Sequence, residues 1–136
     1  MSYTRSIPIE FNWCDPAGIV FYARYFEMTN SVCETFFADR IGRSYARIMA
    51  DGCGIPTGRL TAEFRAPSRL GDRLEVTLAV ARIGGASLDV TLTARCAGAL
   101  RAVFTKTLVW IGPEGRPAPW PEDMRARLQA EMEDEA

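Results

Sequence analysis

Residues 22–38 constrain the fold most, because few surface helices carry so many apolar side chains. Tyr22, Tyr25, Phe26, Val32, Cys33, Phe36 and Phe37 recur at steps of three and four, and Thr29 fills the gap. That is a helical period, not the alternation of a strand. Met28 falls off the stripe, so the helix is apolar on more than one side, and its polar residues are Arg24, Glu27, Ser31 and Glu34. The spacing predicts a core helix from Tyr22 to about Ala38, stopped by Arg40 and Gly42. Such a helix needs a sheet face to bury against.

The rest of the chain can supply that face. Residues 3–13 alternate, with Tyr3, Arg5, Ile7, Ile9, Phe11 and Trp13 on one side, and Pro8 marks an edge or a bulge. Ser44 can cap a short helix carrying Tyr45, Ile48 and Met49, ended by Gly52. Four strand-like runs follow. Leu60, Ala62, Phe64 and Ala66 alternate in the first, Leu74, Val76, Leu78 and Val80 in the second, and Leu88, Val90, Leu92, Ala94 and Cys96 in the third. Pro67, Gly71-Asp72, Gly84-Gly85 and Gly98 are the turn signals. The fourth run, residues 101–111, is apolar on both faces and reads as a central or interface-buried strand. After a Pro-rich loop at 113–121, Met124, Leu128 and Met132 predict a terminal helix whose acidic end, 131–135, frays. The expected fold class is α+β: one antiparallel sheet of five or six strands wrapped around a long central helix, as a single domain over residues 1–136 with no repeat or linker.

Charge and composition narrow the function. A net charge of -1 over 136 residues favours neither nucleic acid nor an anionic membrane as partner. No apolar run reaches the roughly 18 residues of a membrane span, and the first residues lack a signal-peptide segment, so a cytoplasmic location is expected. The cysteines at 14, 33, 53 and 96 form no C-x-x-C pair and are expected to stay reduced. Histidine is absent. That removes Ser-His-Asp and Cys-His catalysis, imidazole acid-base chemistry and His-based metal sites together. No metal and no cofactor are expected, and any catalyst must use carboxylate, hydroxyl, thiol, amine or backbone groups.

The stretch Trp13-Cys14-Asp15-Pro16-Ala17-Gly18-Ile19-Val20-Phe21-Tyr22 opens the helix. Its last residues carry no side chain able to cap, and Gly18 is the only candidate, so backbone N–H groups at the helix start need other acceptors. A ligand carbonyl or oxyanion is one, aided by the helix dipole; water and a neighbouring loop are others. Asp15, a few residues upstream, has two readings: an Asp-Pro turn that orders its own loop, or a carboxylate placed to attack an activated acyl group.

Phe11, Asp15-Pro16-Ala17-Gly18-Ile19-Val20, Tyr22 and Tyr25 closely resemble the signature of the 4-hydroxybenzoyl-CoA thioesterase family, a branch of the hotdog-fold acyl-CoA thioesterases. The likeness is dense over residues 11–37 and looser to about residue 112. It implies a hotdog fold, a homodimer with a continuous sheet or a tetramer of two such dimers, and an active site at the dimer interface acting on an acyl-CoA. It also implies that Asp15 is the catalytic carboxylate, as nucleophile or as base toward water, and that the Tyr22 backbone N–H polarises the thioester carbonyl. A thioester already has a good leaving group, so a carboxylate without histidine can suffice.

Some residues depart from that pattern or compete with it. Ile83-Gly84-Gly85 stands where relatives can carry basic residues for the nucleotide phosphates, leaving Arg65, Arg69, Arg73 and Arg82 as weak alternatives, each also readable as a solvated strand-end charge. The segment Cys53-Gly54-Ile55-Pro56 resembles a Gly-containing family segment that can offer a backbone contact. Cys14 has no histidine to activate it and reads as a small buried packing residue. Glu27 and Glu34 are reserve carboxylates, because another hotdog branch places its catalytic acid on this helix. A hydratase reading is weakened by the lack of histidine. A non-catalytic acyl-CoA-binding module remains the alternative.

Overall fold

In a computed structural model, which describes residues 2–135, the chain forms one five-stranded antiparallel sheet with helices. The elements run β1 (Tyr3–Pro8), a 3-10 turn (Phe11–Trp13), α1 (Arg24–Phe36), a π-helical turn (Phe37–Ile41), α2 (Tyr45–Ala50), β2 (Thr57–Phe64), β3 (Arg73–Ile83), β4 (Ser87–Cys96), β5 (Ala99–Val109) and α3 (Glu122–Glu135). The sheet order is β1-β3-β4-β5-β2, so β1 and β2 are its edges. Pro8 ends an edge strand, where its missing donor costs nothing. The first strand is shorter than its alternation predicts, because a 3-10 turn takes over at Phe11 and leaves that ring 80% exposed.

The predicted single long helix is divided. The α-helical part has 13 residues and continues into a π turn of five. There the Phe37 carbonyl accepts from both Gly42 and Arg43, at 2.8 and 3.2 Å, and Gly42 closes the turn at φ +91°. The widened turn keeps Phe37 and Ile41 in the core beside Phe36. The buried face of α1 is Tyr25, Met28, Thr29, Val32, Cys33 and Phe36. Met28 is therefore inside and Tyr22 outside, the reverse of the stripe reading. The second apolar side, Tyr22 and Phe26, faces a trough over β2.

That trough is where the strand reading and the structure part. On β2, Leu60, Ala62 and Phe64 pair with Lys106, Phe104 and Ala102 of β5 and so share its core-facing side. They are only partly covered: Ala62 packs against the core and Phe64 meets the rings of Tyr22, Tyr25 and Phe104, yet Leu60 is 37% and Phe64 46% exposed. β5 is central, as expected, with Phe104, Leu108 and Trp110 buried and Lys106 buried among them. The Ser44 side chain caps α2 by accepting from the Arg47 N–H at 3.1 Å. Met124 and Leu128 seat α3 in the core as expected, and residue 136 of the expected domain lies outside the described residues, as does residue 1. No described helix is long and apolar enough to cross a membrane.

Candidate active site

Residues 13–21 form a two-stranded ribbon closed by Asp15-Pro16-Ala17-Gly18. The Phe21 N–H donates to the Trp13 carbonyl at 2.9 Å, the Asp15 N–H to Ile19 at 2.9 Å, and the Gly18 N–H to Asp15 at 2.9 Å. Gly18 adopts φ +79° with open space where a Cβ would stand, so glycine is needed there for its backbone and not for room. The half-buried Asp15 accepts from the Ala17 N–H through Oδ1 at 2.9 Å. The loop-ordering reading of Asp15 thus describes one carboxylate oxygen. Oδ2 has no hydrogen-bond partner among the described residues.

Tyr22 follows the last ribbon bond directly. Its turn is wound tightly: Arg24, Tyr25 and Phe26 donate to the carbonyls three residues back, at 2.8, 3.2 and 3.2 Å. No side chain caps the helix, whose N-cap position is Ala23. The Tyr22 and Ala23 N–H groups find no acceptor among the described residues. The uncapped start expected from the sequence is present, in the two residues that immediately precede the regular helix. The Tyr22 phenol is not part of that arrangement. Its side chain is 57% exposed and packs edge-on against Phe21, Phe26 and Phe64.

A second loop, residues 67–72, pins the ribbon from the other side. The Ser68 carbonyl accepts from the Val20 N–H at 2.8 Å, and Ile19 bridges Arg69. Arg101 of β5 holds this loop: its Nη1 lies 2.8 Å from Asp72 Oδ2, 2.9 Å from the Pro67 carbonyl and 3.2 Å from Ser68 Oγ. The buried Tyr25 hydroxyl donates to Ser68 Oγ at 2.8 Å, tying α1 to the same point. The Arg101 hydrogen bond, helped by the Arg69 N–H, holds the Asp72 carboxyl below its ordinary value. Burial pushes the Tyr25 phenol upward, against the opposing pull of Ser68. Sequence reasoning took the Gly71-Asp72 pair for a turn and missed Ser68 and Arg101. Their side-chain partners lie 29 to 43 residues away in the chain, and no local pattern announces them.

Asp15 and Tyr22 open on different cavities of the single chain. Asp15 lines one of about 440 Å³ with Phe11, Cys14 and Leu70, while Tyr22 lines one of about 280 Å³ with Tyr25, Phe64 and Pro67. Cys14 is half-buried rather than enclosed, and its thiol points to the Glu10 carbonyl at 3.7 Å. Glu27 and Glu34 are exposed, and Glu27 pairs with Arg24 at 2.6 Å. Arg65 pairs with Glu63 at 3.2 Å and Arg73 reaches Ser6 at 3.1 Å; both are solvent-facing, as are Arg69 and Arg82. In the Cys53–Pro56 segment the Gly54 N–H donates to the Ile111 carbonyl at 3.0 Å and the Cys53 N–H to the Ile48 carbonyl at 3.0 Å. Among the described residues no group of three acidic or cysteine side chains is placed to hold a metal.

Residues 9–128 match the family model described as the thioesterase-like superfamily. The chain belongs to that superfamily. The match spans the Asp15 ribbon, α1 and the whole of β2 to β5. A hypothetical protein from Thermus thermophilus is similar at 26% identity, covering 95% of this chain and 98% of that one, with a TM-score of 0.88. A 1,4-dihydroxy-2-naphthoyl-CoA thioesterase from Synechocystis is 22% identical over 95% and 96% of the two chains, with a TM-score of 0.87. A hypothetical protein from Staphylococcus aureus solved in complex with CoA is 18% identical over 98% and 85%, with a TM-score of 0.92. At these last two identities the likeness is one of fold. No curated protein matches the chain.

Proposed function

We propose that this superfamily member is an acyl-CoA thioesterase that hydrolyses its substrate to a free acid and CoA. The observation that carries the reading is the ribbon itself. Asp15, in the ribbon's turn, keeps one oxygen free, and the Tyr22 and Ala23 N–H groups just past the ribbon's last bond are unpartnered among the described residues. In this mechanism the thioester carbonyl oxygen accepts from the Tyr22 N–H at the positive end of α1, where negative charge develops in the transition state. The Asp15 carboxylate then attacks the carbonyl carbon, or takes a proton from a water that does. The C–S bond breaks and CoA leaves as thiolate, to be protonated by solvent. If Asp15 attacks, a mixed anhydride forms and water hydrolyses it. Oxygen-18 in a single turnover separates the routes: label carried from the enzyme into the acid marks attack by Asp15.

The proposed unit is a single hotdog domain acting in the cytoplasm as a homodimer or a tetramer, with the sheet wrapped around the α1 helix. Support for assembly comes from β2, an edge strand with only partly covered apolar side chains, which a second copy would extend and cover. Aromatic acyl groups such as 4-hydroxybenzoyl suit the aromatic lining of Tyr22, Tyr25 and Phe64. The separation of Asp15 and Tyr22 into two cavities favours a second reading, a non-catalytic acyl-CoA-binding module. Free-thiol release from a panel of aromatic and aliphatic acyl-CoAs decides between them. Turnover that fails in Asp15→Ala and Asp15→Asn supports the enzyme; saturable binding with no turnover on any thioester supports the module.

A further inference from the structure

Lys106 is the only lysine in the chain. It stands mid-strand in β5 on the core-facing side, between the buried Phe104 and Leu108, and is itself only 4% exposed. It makes no hydrogen bond and no ion pair with any described residue. No described side-chain nitrogen is both fully enclosed and unpartnered, so part of the exposure Lys106 keeps is at its ammonium. Lys106 lines a cavity of about 370 Å³ together with Phe26, Glu27 and Asn30 of α1 and Thr57 and Leu60 of β2. Lys106 also lies near enough to Cys33 to pull its thiol downward, against the burial that raises it to about 11.

A cation in an apolar strand needs an anion, because desolvation without a partner is costly. Glu27 lines the same cavity, yet its carboxylate is held by Arg24 at 2.6 Å on the helix surface. The cavity lies along the same trough as the one beside Tyr22. Tyr22 and Phe26 sit on successive turns of the chain with ring centroids 6.5 Å apart, and Phe64 and Leu60 share one face of β2. From Tyr22 to Asn30 the helix rises about 12 Å. A thioester held at the Tyr22 N–H would direct its acyl group down this trough.

We propose that Lys106 is the anion-recognising end of the acyl pocket, and that the acyl group this protein takes carries a carboxylate remote from the thioester. The inference rests on the thioesterase reading for its orientation. A carboxylate has two accepting oxygens, matching the Lys106 ammonium and the Asn30 amide that flank the cavity. A methyl-ended acyl group would fill the trough and leave the ammonium unpaired.

The test compares glutaryl-, adipyl-, pimelyl- and suberyl-CoA with straight-chain acyl-CoAs of equal length, in wild type and Lys106→Met. Methionine matches the volume without the charge, so the variant should fold, and a thermal melt checks that it does. At the best length the wild type should favour the carboxylate by at least about tenfold in kcat/KM, and Lys106→Met should lose that preference. No preference in wild type, or a preference that survives in Lys106→Met, overturns the proposal. A second readout needs no turnover. Reductive 13C-methylation keeps the charge and labels one ε-amine, whose NMR resonance should shift on adding free adipate but not hexanoate. A resonance that responds to protein dilution and ignores adipate would assign the charge to a contact between copies and overturn the proposal. If no thioester is hydrolysed while the resonance still answers adipate, the thioesterase reading fails and the anion site stands.

Discussion

One oxygen of Asp15 holds the Ala17 amide and the other is free, and this division makes the two roles of the residue separable. Asparagine keeps an accepting oxygen for Ala17 but replaces the free carboxylate oxygen with an uncharged amide NH₂; alanine removes both. Asp15→Ala should therefore loosen the ribbon, which a lowered melting temperature would show, whereas Asp15→Asn should melt like wild type. At Tyr22 the working group in this account is the backbone N–H. Its phenol makes no hydrogen bond among the described residues, so Tyr22→Phe should keep kcat/KM within about threefold. A large loss would transfer the role to the hydroxyl. Gly18 at φ +79° meets no steric obstacle, so Gly18→Ala should cost only its backbone strain, about 1 kcal/mol in a denaturation series.

At the scale of elements, the ribbon and α1 are held by a loop that belongs to neither. Arg101 reaches from β5 to Asp72, Pro67 and Ser68, and Ser68 in turn holds Val20 and Tyr25. Because the Asp72 carboxyl is depressed in the folded state, its contribution is fully present above the ordinary value of 3.8 and is lost as pH falls below it. Melts from pH 6 to 2.5 should show a steeper acid loss for wild type than for Asp72→Asn, with the two curves converging at the acid end. Parallel curves would mean that the pair contributes nothing measurable, as many partly exposed pairs do. The elements themselves were largely readable from residues. The alternation of Leu74 to Val80 and of Leu88 to Ala94 became β3 and β4, and the Ser44 cap became α2. The boundaries of α1 were not, because a tight turn at Tyr22 and a π turn at Phe37 take over where the apolar spacing continues unbroken.

For the whole molecule, the unread part is what covers β2. Alternation marks Leu60, Ala62 and Phe64 as one face, and the structure agrees, but covering that face fully requires something beyond this chain's own elements. Lys106 is a like case: a run read only as apolar on both faces hides one buried cation beside Phe104, whose use depends on a cavity that α1 and β2 build together. The Arg101 network also has no local signature, since it joins distant loops to a central strand. If β2 is the edge that a second copy covers, sedimentation should give a multiple of the 15.1 kDa chain mass, and specific activity should fall on dilution as the assembly dissociates. A monomer with undiminished activity would remove the interface from the account. The central claim is the chemistry of one carboxylate, and kcat/KM of Asp15→Asn on the best acyl-CoA substrate tests it most directly. The account predicts a loss of about 10²–10⁴-fold at an unchanged melting temperature; wild-type turnover by the folded variant would contradict it.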